Sequence, residues 1–114
     1  MRPLDLALKY MEIVFSGDNL DDLSHLLACD FNFRGPLFEF DSAEGYIHSL
    51  KSEPPLGFKY KIINSFENES SACLVYEFSK PNVCASMAQL FEIKDSKISS
   101  ILLIFDARLF SKEL

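Results

Sequence analysis

PLDLALKYMEIVFSGDNLDDLSHLLACDFNFRGP, which spans residues 3–36, sets the order of elements on which the fold depends. In its first half, apolar residues recur at three- and four-residue steps from Leu4 to Phe15, a spacing that predicts a helix with a buried face. Pro3 suits the first helical position, and Gly17 suits a left-handed residue just past the last turn. The stretch therefore begins with a long N-terminal helix that ends at Gly17-Asp18.

Two shorter elements follow within the same stretch. Asp18 is placed to cap a second amphipathic helix, which carries leucines on one face and His25 on the other and ends near Cys29-Asp30. Residues 31–34 alternate Phe, Asn, Phe, Arg, which is typical of a half-buried strand, and Gly35-Pro36 ends that strand. The predicted opening order is helix, helix and aromatic strand.

The remaining sequence predicts one more helix and then a sheet. Asp41 and Glu44 have the spacing of a capping box at the start of a third helix, which Pro54-Pro55 ends. From Gly57 the apolar period changes to two, and short turns make the successive strands antiparallel neighbours. The strands are expected at about residues 57–67, 71–79, 83–94 and 97–106. Three helices followed by one curved antiparallel sheet form an α+β fold.

Length and composition set the scale of the core. At 114 residues the chain is expected to form a single domain, residues 1–114, with enough buried surface to need no disulfide or metal. The chain has eleven Phe and no Trp. Because Phe fills volume without needing a hydrogen-bond partner, this composition suits either a thick core or an apolar cavity.

Charge and cysteine usage exclude several function classes. The formal net charge of −6 opposes nucleic-acid phosphates and anionic membrane surfaces, so neither is an expected partner. Cys29, Cys73 and Cys84 form an odd set without the spacing of a disulfide framework or a zinc site, so no metal or cofactor is expected. Reduced thiols and the lack of a signal-like or membrane-spanning run favour a cytoplasmic protein.

The order of elements resembles the nuclear transport factor 2-like superfamily, and among its branches the polyketide-cyclase-like (SnoaL-like) domains. The resemblance covers roughly residues 4–110, and the segment Lys9–Asp18 is similar to the opening of bacterial ketosteroid isomerase. It implies a cone in which the sheet wraps around the first helix and leaves a cavity that relatives use as a ligand pocket or active site. It also implies a homodimer formed through the outer face of the sheet.

Ketosteroid isomerase needs a carboxylate base and two hydrogen-bond donors for the oxygen that becomes negative. By resemblance, the donor tyrosine falls on Tyr10, the base on Gly35 and the protonated acid on Gln89. Glycine cannot take a proton, and glutamine can donate a hydrogen bond but cannot act as an acid. The sequence therefore argues against this isomerase reaction.

The predicted pocket is apolar with two polar points. If Gln89 faces the cavity, the period of two places Met87 and Phe91 on the same side. The other wall candidates come from the aromatic residues and, by resemblance, from the last strand. The full predicted set is Tyr10, Phe33, Phe38, Phe58, Tyr76, Met87, Gln89, Phe91, Ile101, Leu103 and Phe105. The alternative is that these side chains fill the cone completely.

Three functions remain open from the sequence. The first is a domain that binds a small hydrophobic molecule, held by one or two hydrogen bonds. The second is an isomerase, dehydratase or cyclase with rearranged acid–base groups such as His48 or Glu39. The third is a protein-interaction adaptor that uses the outer sheet face. An apolar pocket without a base favours the first.

Overall fold

The computed structural model describes residues 1–113, with side chains described through Phe110. Helix α1 spans Pro3–Ser16 and a 3-10 helix spans Leu20–His25. Strands β1 (Leu27–Arg34) and β2 (Glu39–Phe40) precede helix α2 (Ala43–Ser52). The strands β3 (Lys59–Glu67), β4 (Ser71–Lys80), β5 (Val83–Lys94) and β6 (Lys97–Ile104) follow, and the C-terminal 3-10 helix spans Ala107–Glu113. The predicted α+β fold with three helices before the long strands is confirmed.

The six strands form one curved, open sheet in the order β2-β1-β6-β5-β4-β3. Strands β3 to β6 are antiparallel neighbours, as the short turns predicted. The predicted curved antiparallel sheet describes these four strands, but the full six-stranded sheet is mixed, because β1 pairs with β6 in parallel. The reason is topological: between β1 and β6 the chain forms α2 and four strands, β2 to β5, and β6 then runs beside β1 in the same direction.

Helix α1 begins and ends as the sequence predicted. Pro3 is its first residue, and the Asp5 carboxylate accepts a hydrogen bond from the Arg2 backbone N–H at 3.2 Å. At its other end, Gly17 has φ +70° and donates its backbone N–H to the Ile13 carbonyl at 3.2 Å. The helix is thus closed at both ends without a basic side chain in its last turn.

Two boundaries differ from the prediction. The second helix is a 3-10 helix that begins after Asn19 and ends at His25, so Asp18 is not its cap and β1 begins at Leu27. Helix α2 is capped by Ser42, whose hydroxyl oxygen accepts the Gly45 N–H, rather than by Asp41. In both cases neighbouring Ser, Asp and Asn residues offered similar capping groups, and the sequence alone did not separate them.

The core lies between α1 and the concave face of the sheet. Alternate residues of β4 and β5 are buried there, which confirms the predicted period of two and places Met87, Gln89 and Phe91 on one face. From α1 the buried residues are Leu6, Ala7, Tyr10, Met11 and Val14. Within the described residues, no helix combines the length and apolar character needed to cross a membrane.

Replacing Gly17 by Ala is expected to lower the free energy of unfolding by about 1–2 kcal/mol, because the left-handed conformation disfavours a Cβ. No heavy atom lies within 4 Å of the position that a Cβ would take there, so the cost is conformational rather than steric. Gly17→Asn is the matched control. It should lower the free energy of unfolding by less than Gly17→Ala does, since Asn tolerates the left-handed conformation better than Ala. Urea unfolding measures both, and equal losses would contradict the conformational explanation.

Candidate functional site

Four polar side chains meet inside the core. They are Tyr10 from α1, Tyr46 from α2, Tyr76 from β4 and Gln89 from β5, and all four are buried. The Tyr10 and Tyr46 hydroxyls are hydrogen-bonded to each other, and the Tyr76 hydroxyl donates to Oε1 of Gln89 at 2.7 Å. The Gln89 side chain also lies near the Tyr10 hydroxyl and lowers its pKa, so the two hydrogen-bonded pairs adjoin each other between α2 and β4.

Local structure explains why these groups meet. Tyr10 lies one helical turn from Leu6 and Val14, on the face of α1 that packs against the sheet. On the sheet, Tyr76 is opposite Met87 while Gln89 is opposite Leu74, so Tyr76 and Gln89 are diagonal neighbours on the same face. Diagonal pairs lie within reach of long side chains, which brings the amide to the phenol.

Aromatic rings pack around this hydrogen-bonded chain. The Tyr46 ring stacks on Phe33 with centroids 5.1 Å apart and an interplanar angle of 16°. Phe31 and Phe40 approach the same ring at 5.5 and 5.3 Å. Phe91 meets the Tyr10 ring edge-on at 5.3 Å. The hydroxyls are therefore enclosed by rings at this end of the core.

A second aromatic cluster forms around Phe78 on β4. Phe58 and Phe110 contact the Phe78 ring at 5.3 and 5.9 Å, and Phe105 contacts Phe110 at 5.0 Å. The Lys80 ammonium lies 5.5 Å from the Phe110 ring, within the range of a cation–π contact. The C-terminal 3-10 helix thus covers this part of the concave face through a single aromatic side chain, Phe110.

The structure brings most of the predicted wall residues together. The buried ones are Tyr10, Phe33, Tyr76, Met87, Gln89, Phe91 and Ile101. Phe58, Leu103 and Phe105 are half-buried at the margin of the core. Phe38 departs from the prediction, because it is 61% exposed between β1 and β2 and lines no part of the interior. Strand β1 ends at Arg34, and Phe38 lies in the turn that follows Gly35-Pro36, before β2 begins at Glu39.

The structure adds Tyr46, which sequence reasoning missed. The helical spacing of Tyr46, Ile47 and Leu50 indicated a buried face of α2 but not the element that this face contacts. Only the position of α2 over β1 and β2 places the Tyr46 hydroxyl beside Tyr10. A signal was present in the residue type, because a buried tyrosine needs a hydrogen-bond partner.

The buried members of the predicted wall set pack against one another in the core. Among the surface depressions formed by the described residues are two that none of the predicted wall residues lines. The larger, of about 1050 Å³, runs between the first 3-10 helix, β1, α2 and the β5–β6 turn. His48 lines this outer groove and not the interior.

Burial keeps the interior tyrosines neutral. Desolvation raises the pKa of Tyr10 well above its usual value, and the hydrogen bond from Gln89 opposes part of that rise. Desolvation also raises the pKa of Tyr46 and of Tyr76. The three phenols therefore act as hydrogen-bonding groups at neutral pH.

Acid–base groups are absent from the described interior. Apart from the tyrosines, Gln89 is the only polar or charged residue that is buried in the described part of the chain. His25, His48 and Glu39 are exposed, and Glu39 pairs with Arg34 at 3.6 Å. A Cβ at position 35 would lie 3.3 Å from Cε1 of Phe33, so this position borders the core, but glycine supplies no carboxylate there. The described residues also contain no cluster of His, Cys, Asp and Glu suited to a metal ion.

Solved structures identify the architecture. A nuclear transport factor 2-like protein of unknown function from Cytophaga hutchinsonii matches with a TM-score of 0.82 and 23% identity, over 95% of this chain and 93% of that one. The chain has the nuclear transport factor 2-like fold. The fold expected from the resemblance is thus confirmed, while membership of the superfamily and of its SnoaL-like branch stays a prediction.

Two further structures with this fold carry names that refer to enzymes. A provisionally named ketosteroid isomerase from Kribbella flavida matches with a TM-score of 0.78 and 17% identity, over 90% of this chain and 76% of that one. An epoxide hydrolase from M. tuberculosis, described as LEH-like, matches with a TM-score of 0.77 and 15% identity, over 96% and 86%. No protein-family model matches the sequence, and no curated protein sequence matches it significantly.

Raising the pH above about 10 is expected to lower the free energy of unfolding, because tyrosines of the unfolded chain ionise near that pH. In the folded protein, burial holds the pKa of Tyr10, Tyr46 and Tyr76 higher. The stability from these raised pKa values is fully present below pH 10 and is lost as the pH rises further. Urea unfolding between about pH 8 and 11, together with phenolate absorbance, measures the effect.

The half-buried Tyr60 provides the control for this titration. Tyr60→Phe should leave the alkaline loss of stability in place. The reason is that the pKa values of the three interior tyrosines still differ between the folded and unfolded states. Ionisation of all four tyrosines near pH 10 with the fold intact would contradict the buried network.

Proposed function

We propose that this protein binds a small, mainly apolar molecule in its concave core and holds one oxygen of that molecule by hydrogen bonds. The observation that carries the proposal is the buried chain of Tyr10, Gln89 and their partners within an interior made of aromatic and aliphatic side chains. Specific ligand sites commonly combine apolar walls with a few convergent polar groups. Tyr10 and Gln89 supply these groups.

Binding is favoured over proton transfer because of the chemistry that the interior contains. General acid–base catalysis requires a group that titrates near the working pH within reach of the substrate. The described core has phenols with raised pKa values and an amide, with no carboxyl or imidazole group. The names of the isomerase and hydrolase structures support a small-molecule site in this fold, and the residues here support recognition without a base.

Removing the hydroxyl of Tyr10 is expected to weaken ligand binding by roughly 2- to 10-fold, which corresponds to the 0.5–1.5 kcal/mol of a typical hydrogen bond. A thermal-shift panel of steroids, aromatic polyketides and fatty acids first identifies a ligand for the unmodified protein. Titration calorimetry then compares that ligand on the unmodified protein, Tyr10→Phe and Gln89→Leu.

Tyr60→Phe is the matched control, because Tyr60 lies on β3 outside the hydrogen-bonded chain. Its affinity should equal that of the unmodified protein. Loss of affinity in Tyr60→Phe but not in Tyr10→Phe would overturn the assignment of the polar anchor. A panel without any stabilising compound would count against the binding function itself.

We also propose that the outer face of the sheet pairs two copies of the chain. Strand register places Phe66, Cys73, Leu90 and Leu102 in one row across β3 to β6, on the face opposite α1. Phe66 is 56% and Leu102 is 42% exposed in the single chain. A contiguous apolar row of this kind is unusual on a monomer surface and suits an interface between copies.

Leu102→Glu is expected to convert the dimer to a monomer, since a second copy would bury the new charge against an apolar row. Light scattering should then report the 13.0 kDa of one chain instead of twice that mass. Leu56→Glu, at an exposed leucine in the turn before β3, is the control and should leave the mass unchanged. A monomeric unmodified protein would refute this interface.

In this proposal the whole chain, residues 1–114, forms one binding domain. We also propose that the protein is located in the reducing cytoplasm. Cys29 and Cys84 are exposed and unpaired by disulfide, and Cys73 lies on the proposed interface row. Reduced cysteines are the normal state in that compartment.

A further inference from the structure

Tyr46 differs from the other three members of the buried chain in the element that carries it. Tyr10, Tyr76 and Gln89 belong to α1, β4 and β5, which pack directly against one another. Tyr46 belongs to α2, which packs against the first 3-10 helix, β1 and β2 at the edge of the sheet. Of the interior polar groups, Tyr46 is therefore the one that can leave without disturbing the central strands.

Helix α2 is attached to the rest of the protein through one face. Tyr46 and Ile47 are its buried residues, and Ala43 and Leu50 are half-buried against the core. Its ion pair, between the Lys51 ammonium and the Asp21 carboxylate at 3.0 Å, is exposed on both sides and contributes little to stability. The helix is followed by Pro54-Pro55 and by Gly57, whose φ of +78° marks a turn at the end of the segment. Gly57 can absorb the dihedral changes of a hinge, whereas the rings of the two prolines fix their φ angles.

The surroundings of the Tyr46 ring define the molecule that fits there. One face of the ring stacks on Phe33, Phe40 meets it at 61°, and Phe31 packs beside it at 5.5 Å. Its hydroxyl is hydrogen-bonded to the hydroxyl of Tyr10. The site thus matches a flat aromatic ring that carries a hydroxyl at one end.

We propose that Tyr46 is a built-in occupant of the ligand site and that the ligand is a para-substituted phenol. In the closed state its own phenol fills the site, and withdrawal of α2 empties a phenol-shaped space beside Tyr10. This inference rests on the proposed binding function and adds its ligand class and its gate. A ligand that needs a rare open state binds more weakly by the fraction of molecules that are open.

The test uses p-cresol, which has the ring and hydroxyl of a tyrosine side chain, and toluene, which lacks the hydroxyl. Tyr46→Ala leaves the site permanently vacant and should bind p-cresol about tenfold or more tighter than the unmodified protein, as expected for an open state populated at 10% or less. It should also prefer p-cresol to toluene. Tyr46→Phe retains the ring and is therefore the less disruptive variant for folding. It should tighten p-cresol binding by a smaller factor than Tyr46→Ala, because it removes only the hydrogen bond between residue 46 and Tyr10.

Phe78→Ala is the matched control, because it removes a buried ring from the other aromatic cluster. That vacancy has no phenol partner at its end, so it should show no preference for p-cresol over toluene. A preference equal to that of Tyr46→Ala would overturn the assignment of the ligand class.

Hydrogen exchange on the unmodified protein tests the gate directly. Adding p-cresol should reduce the protection of amides 43–52 in α2 and leave those of α1 unchanged. If p-cresol or a panel compound binds while the α2 amides stay fully protected from exchange, the proposed withdrawal of α2 is overturned and the binding function is left intact. Binding by Tyr46→Ala alone would show that Tyr46 is a permanent core residue and overturn the inference. No binding of p-cresol by either protein would overturn this inference, whereas the proposed binding function would be overturned only if the ligand panel also gave no stabilising compound.

Discussion

The fold depends on satisfying four polar groups inside an apolar core. A buried hydroxyl or amide without a partner costs several times what its hydrogen bond contributes, so these groups must meet. Tyr10, Tyr46, Tyr76 and Gln89 do so across four elements, which fixes the rotation of α1 and the height of α2 over the sheet. Apolar packing alone would tolerate other arrangements of the same volume, whereas a connected network accepts few.

The same network decides which chemistry the core can perform. Desolvation disfavours the charged form of every interior phenol, and the register position where a protonated acid stands by resemblance holds Gln89. At the edge of the core, Gly35 presents no side chain beside Phe33 and Leu103. The interior can therefore orient and solvate an oxygen but offers no described group that takes up a proton near neutral pH.

The long strands were predictable because period and turn chemistry are local properties. The face shared by Met87, Gln89 and Phe91 followed from alternation alone, and the left-handed end of α1 followed from Gly17. The parallel pairing of β1 with β6 joins segments about 70 residues apart in sequence, and no local pattern encodes it. Tyr46 was missed for the same reason, since its partners come from α1 and β1.

A packed core and a binding site are compatible when the filling side chain is itself a mimic of the ligand. Exchanging one phenol for another conserves ring stacking and the hydroxyl bond to Tyr10, so the gain and loss of contacts nearly cancel. The net free energy of ligand binding then depends on the contacts that α2 loses by withdrawing. These are the buried Tyr46 and Ile47 and the half-buried Ala43 and Leu50. Because full burial of a large side chain contributes about 1.5–3 kcal/mol, withdrawal costs several kcal/mol, which the affinity of the ligand must offset. In the proposed mechanism, the strength with which α2 is attached therefore decides whether the core acts as a closed binding domain or as a purely structural one.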